Sequence, residues 1–306
     1  MTPDFIPGSA EKLLDWRGLM AAFEAGHRLK QPDIKDLFVY RGPDTVLDRA
    51  TWIDGLGALV KVATVVPGNT ARKKPTVNGA VTLYDDVTGE LTALVDFHLV
   101  TKWKTAGDSL LAASKLARKD SRRILLVGAG NVARSMVSAY RTIFPAAEFR
   151  IWSRSVASAA HLATPLGLEI AADLEAAVGW ADVICTCTMA TEPLIKGEWL
   201  RPGQHLDLIG AYRPDMREVD DAAIAHARLF VDARATTVHH IGEIMAPLKS
   251  GAITEKAILA DFYDLPSGRY ARETAEEITI AKNGGGAHLD LMTADYILRA
   301  WRSRQV

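Results

Sequence analysis

Residues 122–133 read Arg122-Arg123-Ile124-Leu125-Leu126-Val127-Gly128-Ala129-Gly130-Asn131-Val132-Ala133, an apolar run of strand length followed at once by Gly-X-Gly-X-X-Ala. This order predicts a strand, a tight turn and a helix N-terminus. Gly128 would allow the sharp turn, Gly130 would let a diphosphate approach the backbone, and Ala133 would permit close helix packing. The N–H groups of Asn131 and Val132 would face the anion. The stretch predicts dinucleotide binding, although an ordinary strand–helix turn is the alternative.

Strand and helix patterns alternate after this stretch. Short apolar runs predict strands at 124–127, 149–152, 168–171, 183–188, 205–209 and 229–231, and helical patterns lie between them at 132–143, 156–166, 174–178 and 220–227. Strands separated by helices require right-handed crossovers, so the fold class is α/β with a Rossmann-type, doubly wound parallel sheet. After Ala233 the pattern is helical, and it ends with a helix over 289–301.

The residues before the glycine turn follow a different pattern. Alternating runs at 37–40, 46–53, 59–66, 76–84 and 91–95, separated by turn compositions, predict a largely antiparallel sheet. Helices are expected over 11–29 and 105–117. We therefore predict a first α+β domain at 1–117, completed by a C-terminal helix at 287–306, and a Rossmann domain at 118–286.

Composition restricts the class of partner. The 306 residues are 48% hydrophobic, enough for two well-packed domains, and the net charge of −1 favours neither nucleic acid nor an anionic membrane. We expect a cytoplasmic protein, because no signal-peptide pattern and no apolar run of membrane-spanning length occurs. Cys185 and Cys187 lie in an apolar strand pattern and are expected to be buried, so no metal site is predicted.

The end of the second Rossmann strand indicates the type of cofactor. An acidic side chain at this place would bind the ribose 2′-OH of NAD, but here the strand is followed by Ser153-Arg154-Ser155. A guanidinium flanked by two hydroxyls suits a 2′-phosphate, so we predict NADP in preference to NAD. A solvated arginine in a loop leading into a helix is the alternative.

Two lysines before the glycine turn have unusual surroundings. Lys61 interrupts a strand of β-branched residues, where an unpaired ammonium is costly to bury. Lys104 precedes the expected N-terminus of helix 105–117, where it and free N–H groups would hold a carboxylate. Taken alone, each lysine would be explained better as a cation on an edge strand or on the protein surface. Together with the glycine turn, they predict a site for an anionic substrate.

Ordered motifs extend over most of the chain. They are Lys61-Val62-X-Thr64-Val65-X-Pro67-Gly68-Asn69, Lys74-Pro75-Thr76-Val77-X-Gly79, Thr88-Gly89-Glu90, Thr105-Ala106-X-X-Ser109, Gly128-Ala129-Gly130, Asp207-Leu208-Ile209-Gly210-Ala211, Pro214-Asp215-Met216-Arg217-Glu218 and Glu277-Ile278-Thr279 through Lys282. In this order they resemble the ornithine cyclodeaminase/mu-crystallin family. The resemblance implies a Rossmann domain that binds NAD(P), inserted into a substrate-binding and dimerisation domain of a homodimer that acts on small amino or imino acids.

The resemblance also implies roles for single residues. Lys61 is similar to the active-site lysine of the family, and Arg41 is the nearest match to its substrate-binding arginine. Lys104 stands where the family usually has arginine, which keeps the charge but loses the bidentate fork. Thr188 and Lys282 complete the cofactor-binding residues predicted at Gly128, Gly130, Asn131, Val132, Ser153, Arg154 and Ser155.

One missing carboxylate bears on the reaction. Cyclodeaminases that resemble the type enzyme carry an aspartate near Tyr212, whereas here the next carboxylate is Asp215. Cyclodeamination needs proton transfer at the amine, but reduction of a preformed imine needs only a hydride, a cation for the carboxylate and one proton source. We therefore predict an NAD(P)H-dependent reductase of α-imino acids, of the ketimine or Δ1-pyrroline-2-carboxylate type. The alternatives are ornithine cyclodeaminase, which converts L-ornithine to L-proline and ammonia, and a non-enzymatic, NADP-binding crystallin-like protein.

Overall fold

The computed structural model describes residues 2–304, which divide into two compact units. The first unit extends to Lys104 and resumes at Gly286, and the second is Thr105–Gly285. The roles predicted for the two parts of the chain, substrate binding with dimerisation and cofactor binding, remain predictions. Among the described residues, none of the helices is both long and apolar enough to cross a membrane.

The first unit contains a mixed six-stranded sheet. Its strands are β1 (Asp4–Ile6), β2 (Ile34–Arg41), β3 (Asp44–Ile53), β4 (Gly57–Val65), β5 (Val77–Tyr84) and β6 (Leu91–Asp96). Their order in the sheet is β1-β6-β5-β4-β3-β2. The pairs from β2 to β6 are antiparallel, as the alternating pattern predicts, and β1 pairs in parallel with β6. β2 therefore forms one edge of the sheet.

Two helices of the first unit pack against each other. They are α1 (Trp16–Gly26) and α9 (Ala287–Ser303), and α9 also lies on β3 and β4. The helix expected over 11–29 is interrupted, because a 3-10 helix at Gly8–Leu13 ends before α1 begins. Asp15 separates the two by accepting a hydrogen bond from the N–H of Gly18, which caps α1.

The helix expected over 105–117 begins earlier than predicted. It is α2 (Phe97–Leu116), and the Asp96 carboxylate caps it by accepting a hydrogen bond from the N–H of Leu99 at 2.7 Å. Lys104 consequently lies inside the helix, where backbone N–H groups are already bonded to carbonyls of the preceding turn. The prediction of a helix-terminal anion site at Lys104 is wrong, although the charge of Lys104 still contributes to a site described below.

The second unit is a parallel eight-stranded sheet with helices between its strands. Its strands are β7 (Arg123–Val127), β8 (Glu148–Trp152), β9 (Glu169–Ile170), β10 (Val183–Thr186), β11 (His205–Leu208), β12 (Arg228–Val231), β13 (Ile258–Ala260) and β14 (Thr279–Lys282). Their order is β13-β12-β14-β11-β10-β7-β8-β9. The helices are α3 (Asn131–Ile143), α4 (Val156–Leu166), α5 (Leu174–Trp180), α6 (Asp221–His226), α7 (Arg234–Thr237) and α8 (Gly242–Ser250). The α/β class and the Rossmann-type sheet are confirmed.

The interpretation of the region after Ala233 as helical only is wrong. It contains β13 and β14, and β14 lies inside the sheet between β11 and β12. β14 is only four residues long and ends in a lysine, so the sequence has no extended apolar run there. Its tertiary environment, rather than a local pattern, makes it a strand.

The two cysteines lie at the end of β10. Cys185 is buried, Cys187 is half-buried, and their sulfur atoms are 3.5 Å apart as free thiols. Around them, the central strands of the sheet are buried on both faces, as expected for a parallel sheet covered by helices.

Candidate active site

The glycine turn has the conformation that an anion site requires. Gly128 follows β7 with φ +113°, and a Cβ there would lie 2.7 Å from the carbonyl oxygen of Cys187, so only glycine fits. Gly130 has an extended backbone, and a Cβ on it would meet no atom of the described residues within 4 Å. No described side chain caps α3, so the N–H groups of Asn131 and Val132 at its N-terminus have no side-chain acceptor there. These residues fit a diphosphate group.

The three residues predicted to contact the ribose follow β8. The carbonyl of Trp152 accepts a hydrogen bond from the N–H of Gly128 at 2.8 Å, which ties the end of β8 to the glycine turn. Arg154 and Ser155 are exposed, and Ser153 is half-buried. Ser155 caps α4 by accepting a hydrogen bond from the N–H of Ser158. Its hydroxyl therefore has a structural role, whereas the Arg154 guanidinium is open to a ligand.

Thr188 is held in place by a buried acid that the sequence analysis did not single out. The Glu218 carboxylate accepts hydrogen bonds from the N–H and the hydroxyl of Thr188 at 2.8 and 2.7 Å. It also accepts the N–H of Gly210 at 2.7 Å and the hydroxyl of Thr186 at 2.7 Å. These partners follow or end β10 and β11. Glu218 thus fixes the loops at the carboxyl ends of both strands, where ligands bind in open α/β sheets.

Lys282 has a different environment from the one predicted for a cofactor contact. Its ammonium is fully buried and donates to the carbonyls of Leu208 at 2.8 Å and Asn283 at 3.0 Å. Burial lowers the pKa of Lys282, and the nearby carboxylates of Glu218 and Glu243 oppose this shift. The ammonium therefore has its partners in the interior of the second unit, between β14 and β11, which is a structural role.

In the first unit, Lys61 is paired with an acid that lies far along the chain. Its ammonium donates to Asp290 of α9 at 2.7 Å, and the two side chains are 7% and 0% exposed. The ammonium also lies 4.9 Å from the centre of the Phe97 ring. Burial lowers the pKa of Lys61 to about 8, the Asp290 charge opposes this shift, and the charges of Lys104 and Arg49 add to it. Lys61 therefore lies in a buried, charged site on β4, and not on an edge strand of the sheet.

Asp290 is surrounded by more positive charge than it can neutralise. Burial raises the pKa of Asp290, but Lys61, Lys104 and Arg49 together outweigh burial and lower it. Asp36 pairs with Arg49 at 2.7 Å, so three cations face two carboxylates, which still leaves one net positive charge when Lys61 is protonated. A net positive cluster in a partly buried place favours binding of an anionic substrate. We call Lys61, Lys104, Arg49 and Asp290 the cationic cluster.

Two buried histidines border the cationic cluster without adding charge to it. His288 lies two residues before Asp290, and its ring meets that of His27 edge to face at 5.6 Å. Burial lowers the pKa of His288 well below 6.5, the charges of Lys104 and Arg49 lower it further, and the charge of Asp290 opposes the shift. Burial also lowers the pKa of His27, to about 4. Both imidazoles are therefore neutral at pH 7.

The structure does not bring Arg41 to the cationic cluster. Arg41 ends β2 at the hairpin turn, its side chain is 86% exposed, and it pairs with Asp44 at 2.8 Å. Arg49 on β3 is the arginine that joins Lys61, because the two residues lie opposite each other on β3 and β4. The signal for Arg49 is a charged residue at an inward-facing strand position, but it becomes visible only once the strand register is known. Among the described residues, no group of acids, histidines and cysteines is arranged to hold a metal ion.

Comparisons with known proteins agree with these features. A model of the ornithine cyclodeaminase/mu-crystallin family matches residues 53–305. The Delta(1)-pyrroline-2-carboxylate reductase of Paracoccus denitrificans is 50% identical over 305 residues, which is 97% of this chain and 96% of that protein. The ketimine reductase mu-crystallin of Mus musculus is 34% identical over 245 residues, 79% of this chain and 76% of that protein.

A solved structure covers almost the whole fold. It is the Thermococcus litoralis Delta(1)-pyrroline-2-carboxylate reductase in complex with NADH and L-proline, with a TM-score of 0.89 and 27% identity, and it covers 99% of this chain and 98% of that one. The ordered motifs, the glycine turn and these similarities agree. The chain belongs to the ornithine cyclodeaminase/mu-crystallin family.

Proposed function

We propose that this protein is an NAD(P)H-dependent reductase that acts on the C=N bond of a small α-imino acid, of the ketimine or Δ1-pyrroline-2-carboxylate type. The observation that carries the proposal is the buried Lys61 within a cluster that holds surplus positive charge. The names of the relatives at 50% and 34% identity support the same reaction. The open glycine turn supports binding of a dinucleotide cofactor.

Reduction of an imine requires a hydride at carbon, a proton at nitrogen and a fixed position for the substrate. The reduced nicotinamide, when bound, supplies the hydride. Lys61 has a pKa of about 8, so near neutral pH its ammonium carries a proton that it can release to the imine nitrogen. Lys104 contributes positive charge that attracts the α-carboxylate. The product is the corresponding α-amino acid.

The cofactor preference that we propose is NADP. Arg154 is exposed beside the end of β8, and no acid is present there to exclude a 2′-phosphate. The Thermococcus litoralis relative was solved in complex with NADH, so NADH as well as NADPH should be tested with this chain.

A panel assay tests the reaction. Oxidation of NADPH and NADH is followed at 340 nm (roughly the nicotinamide band) with Δ1-pyrroline-2-carboxylate, Δ1-piperideine-2-carboxylate, and pyruvate plus methylamine. We expect turnover with at least one imino acid. Lys61→Ala should reduce kcat by about a thousandfold and leave cofactor affinity within about twofold. Cofactor binding without oxidation by any imino acid would contradict the proposal and favour the crystallin-like alternative.

The cyclodeaminase alternative has less support from the structure. The first carboxylate after Tyr212 is Asp215, which is exposed and pairs with Arg213 at 2.9 Å. The Asp215 carboxylate is therefore already paired with Arg213 and is not held ready for a substrate amine. Release of ammonia and proline from ornithine with catalytic NAD would nevertheless establish that activity, so ornithine belongs in the same panel.

We also propose that two copies of the chain associate through the first unit. Strand β2 is an edge strand in which Leu37, Phe38, Val39 and Tyr40 are consecutive and exposed, between 48% and 70%. Consecutive apolar residues on both faces of an exposed edge strand are unfavourable in water and are typical of a surface that pairs with another chain. A second copy would cover the side of the sheet that carries Leu37, Val39 and Val46 and the free edge of β2.

A further inference from the structure

Two thiols lie beside the glycine turn of the second unit, and they are the two cysteines of the sequence. In a regular strand, residues i and i+2 point to the same face with Cα atoms about 6.5–7 Å apart, close to the upper limit for a disulfide. Strand β10 ends at Thr186, so Cys187 has left the regular strand, and its sulfur lies 3.5 Å from that of Cys185. An approach of about 1.5 Å would bring the sulfur atoms to bonding distance.

The two thiols differ in accessibility. Cys187 is half-buried, whereas Cys185 is buried. Burial raises the pKa of the Cys185 thiol well above its ordinary value, and the neighbouring Cys187 and Asp207 add to this shift. A small oxidant from solvent therefore reacts first with Cys187, and Cys185 is the thiol in position to react with the oxidised Cys187.

The backbone of Cys187 is in direct contact with the glycine turn. Its N–H donates to the carbonyl of Val127 at 2.8 Å, directly before Gly128. Its carbonyl oxygen would lie only 2.7 Å from a Cβ on Gly128. On the other side, a Cβ on Gly210 would collide with the carbonyl of Thr188. The segment 187–188 is packed closely between two glycines, so a shift of Cys187 is transmitted to the glycine turn.

We propose that Cys185 and Cys187 form an oxidation site at which a hydroperoxide produces an intrachain disulfide that weakens binding of the dinucleotide cofactor. The peroxide O–O bond breaks, one oxygen bonds to the Cys187 sulfur to give a sulfenic acid, and the other leaves as an alcohol or as water. The Cys185 sulfur then attacks the Cys187 sulfur. The S–S bond forms, the S–O bond breaks, and the hydroxyl leaves as water with the Cys185 proton. The thiols lose two electrons and the peroxide gains two.

This inference goes beyond the proposed reductase activity, because it concerns control of the cofactor site by oxidation. A disulfide favours Cα atoms about 5.5–6 Å apart, so its formation draws Cys187 towards Cys185. The contacts of Cys187 with Val127 and Gly128 then change, and with them the turn that would hold the diphosphate. By linkage, a cofactor that prefers the reduced form also protects the thiols from oxidation.

The test counts thiols before it measures binding, and it uses the full-length protein. Hydrogen peroxide should remove both thiols, counted after denaturation, and lower the mass by about 2 Da, the loss of two hydrogen atoms. The affinity for NADPH, from fluorescence titration, should weaken at least about tenfold. Dithiothreitol should restore both thiols and the affinity. NADPH at saturation during the treatment should slow the loss of thiols.

Each cysteine provides a control variant. Cys187→Ser removes the thiol that reacts first and keeps the backbone contacts with the glycine turn, so it should bind NADPH like the wild type and lose no affinity in peroxide. Cys185→Ala removes the second thiol. Its Cys187 should stop at a sulfenic acid that dimedone traps, and peroxide should change its NADPH affinity by less than about threefold.

Thiols that persist in peroxide, or a disulfide between two copies of the chain on a non-reducing gel, would overturn the oxidation site. Affinity that is lost equally in Cys187→Ser would assign the effect to another residue, such as the exposed Met189, and would refute the coupling to the cofactor. A reduced wild-type protein that binds no NADPH would contradict the proposed function and the coupling together, whereas the thiol count decides the disulfide by itself.

Discussion

Lys61 and Asp290 are both buried, and each determines the charge of the other. Burial alone would favour the neutral form of either group. The pair stays ionised because the ammonium and the carboxylate are 2.7 Å apart and because Lys104 and Arg49 add positive charge around Asp290. Lys61 nevertheless retains a pKa of about 8, well below its ordinary value of 10.5. An ammonium with this pKa releases its proton more readily than an exposed lysine does.

This pKa predicts the pH dependence of the reaction. The protonated form of Lys61 disappears as pH rises through about 8, so kcat/KM should fall on the alkaline side with that apparent pKa. Asp290 raises the pKa of Lys61, and Asp290→Asn should therefore move the fall to lower pH and cost about tenfold in rate at pH 8. Stopped-flow rates between about pH 6 and 10 measure this shift.

The control for this experiment is Asp295→Asn on the same helix. Asp295 pairs with Arg299 and not with Lys61, so its replacement should leave the alkaline limb in place. An alkaline limb that is identical in wild type and Asp290→Asn would mean that Lys61 is not the proton donor.

Arg154 supports a prediction about the cofactor. Its side chain is exposed, so Arg154→Asp should leave the fold and the melting temperature unchanged. The new carboxylate would repel a 2′-phosphate and accept a hydrogen bond from a 2′-OH. The ratio of kcat/KM for NADPH to that for NADH should fall at least about tenfold. An unchanged ratio would show that the ribose contacts another residue.

The sequence revealed Lys61 because a lysine among β-branched residues is conspicuous locally. Its partners were not predictable in the same way. Asp290 lies 229 residues away along the chain, and Arg49 joins the cluster only through the register of β3 and β4. Arg41 and Arg49 also have similar local sequence surroundings. Only the β2–β3 hairpin separates them, because it places Arg41 in solvent and Arg49 on the face that carries Lys61.

At the level of elements, the turn between β7 and α3 contains two glycines with different requirements. Gly128 has a positive φ and no space for a Cβ, whereas Gly130 has an extended backbone and open space beside it. Glycine at the first position is therefore needed by the fold, and glycine at the second is needed by a ligand that approaches the helix N-terminus.

This difference predicts opposite outcomes for two alanine substitutions. Gly128→Ala should lower the free energy of unfolding by about 1–3 kcal/mol because of the positive φ and the contact with the Cys187 carbonyl. Gly130→Ala should leave thermal stability unchanged and weaken NADPH binding by about tenfold or more. Urea unfolding and fluorescence titration of both variants measure the two effects. Equal stability loss in both variants would contradict this assignment.

Most elements were predictable because their periodicity is local. The strands of both sheets and the helices between them follow apolar patterns that tertiary contacts reinforce. β13 and β14 were missed because they are three and four residues long, and such short runs become strands only through tertiary pairing: β13 pairs with β12 at the sheet edge, and β14 lies between β11 and β12. The early start of α2 was missed because its cap, Asp96, is the last residue of β6, so the strand passes into the helix without a turn composition.

At the level of the whole molecule, the exposed strand β2 predicts self-association. Leu37→Lys combined with Val39→Lys would place two charges on the proposed contact surface and should convert a dimer to a monomer, as measured by sedimentation equilibrium. Val87→Lys is the matched control, because Val87 is 90% exposed in the turn before β6. A wild-type chain that sediments as a monomer at micromolar concentration would contradict the proposed dimer.

The central position of β14 has a consequence for biosynthesis. While a ribosome is still translating the chain, β11 and β12 cannot assume their final spacing, because the strand between them is translated about 50 residues after β12. α9, which brings Asp290 to Lys61, is translated later still. The second sheet therefore stays incomplete until residues 279–282 have been translated, and the face of the first sheet that α9 covers stays exposed until α9 follows, so both units offer apolar surface to chaperones during elongation. A premature stop codon shortly before residue 279 would leave the second sheet without β14 and the first sheet without the helix that covers it.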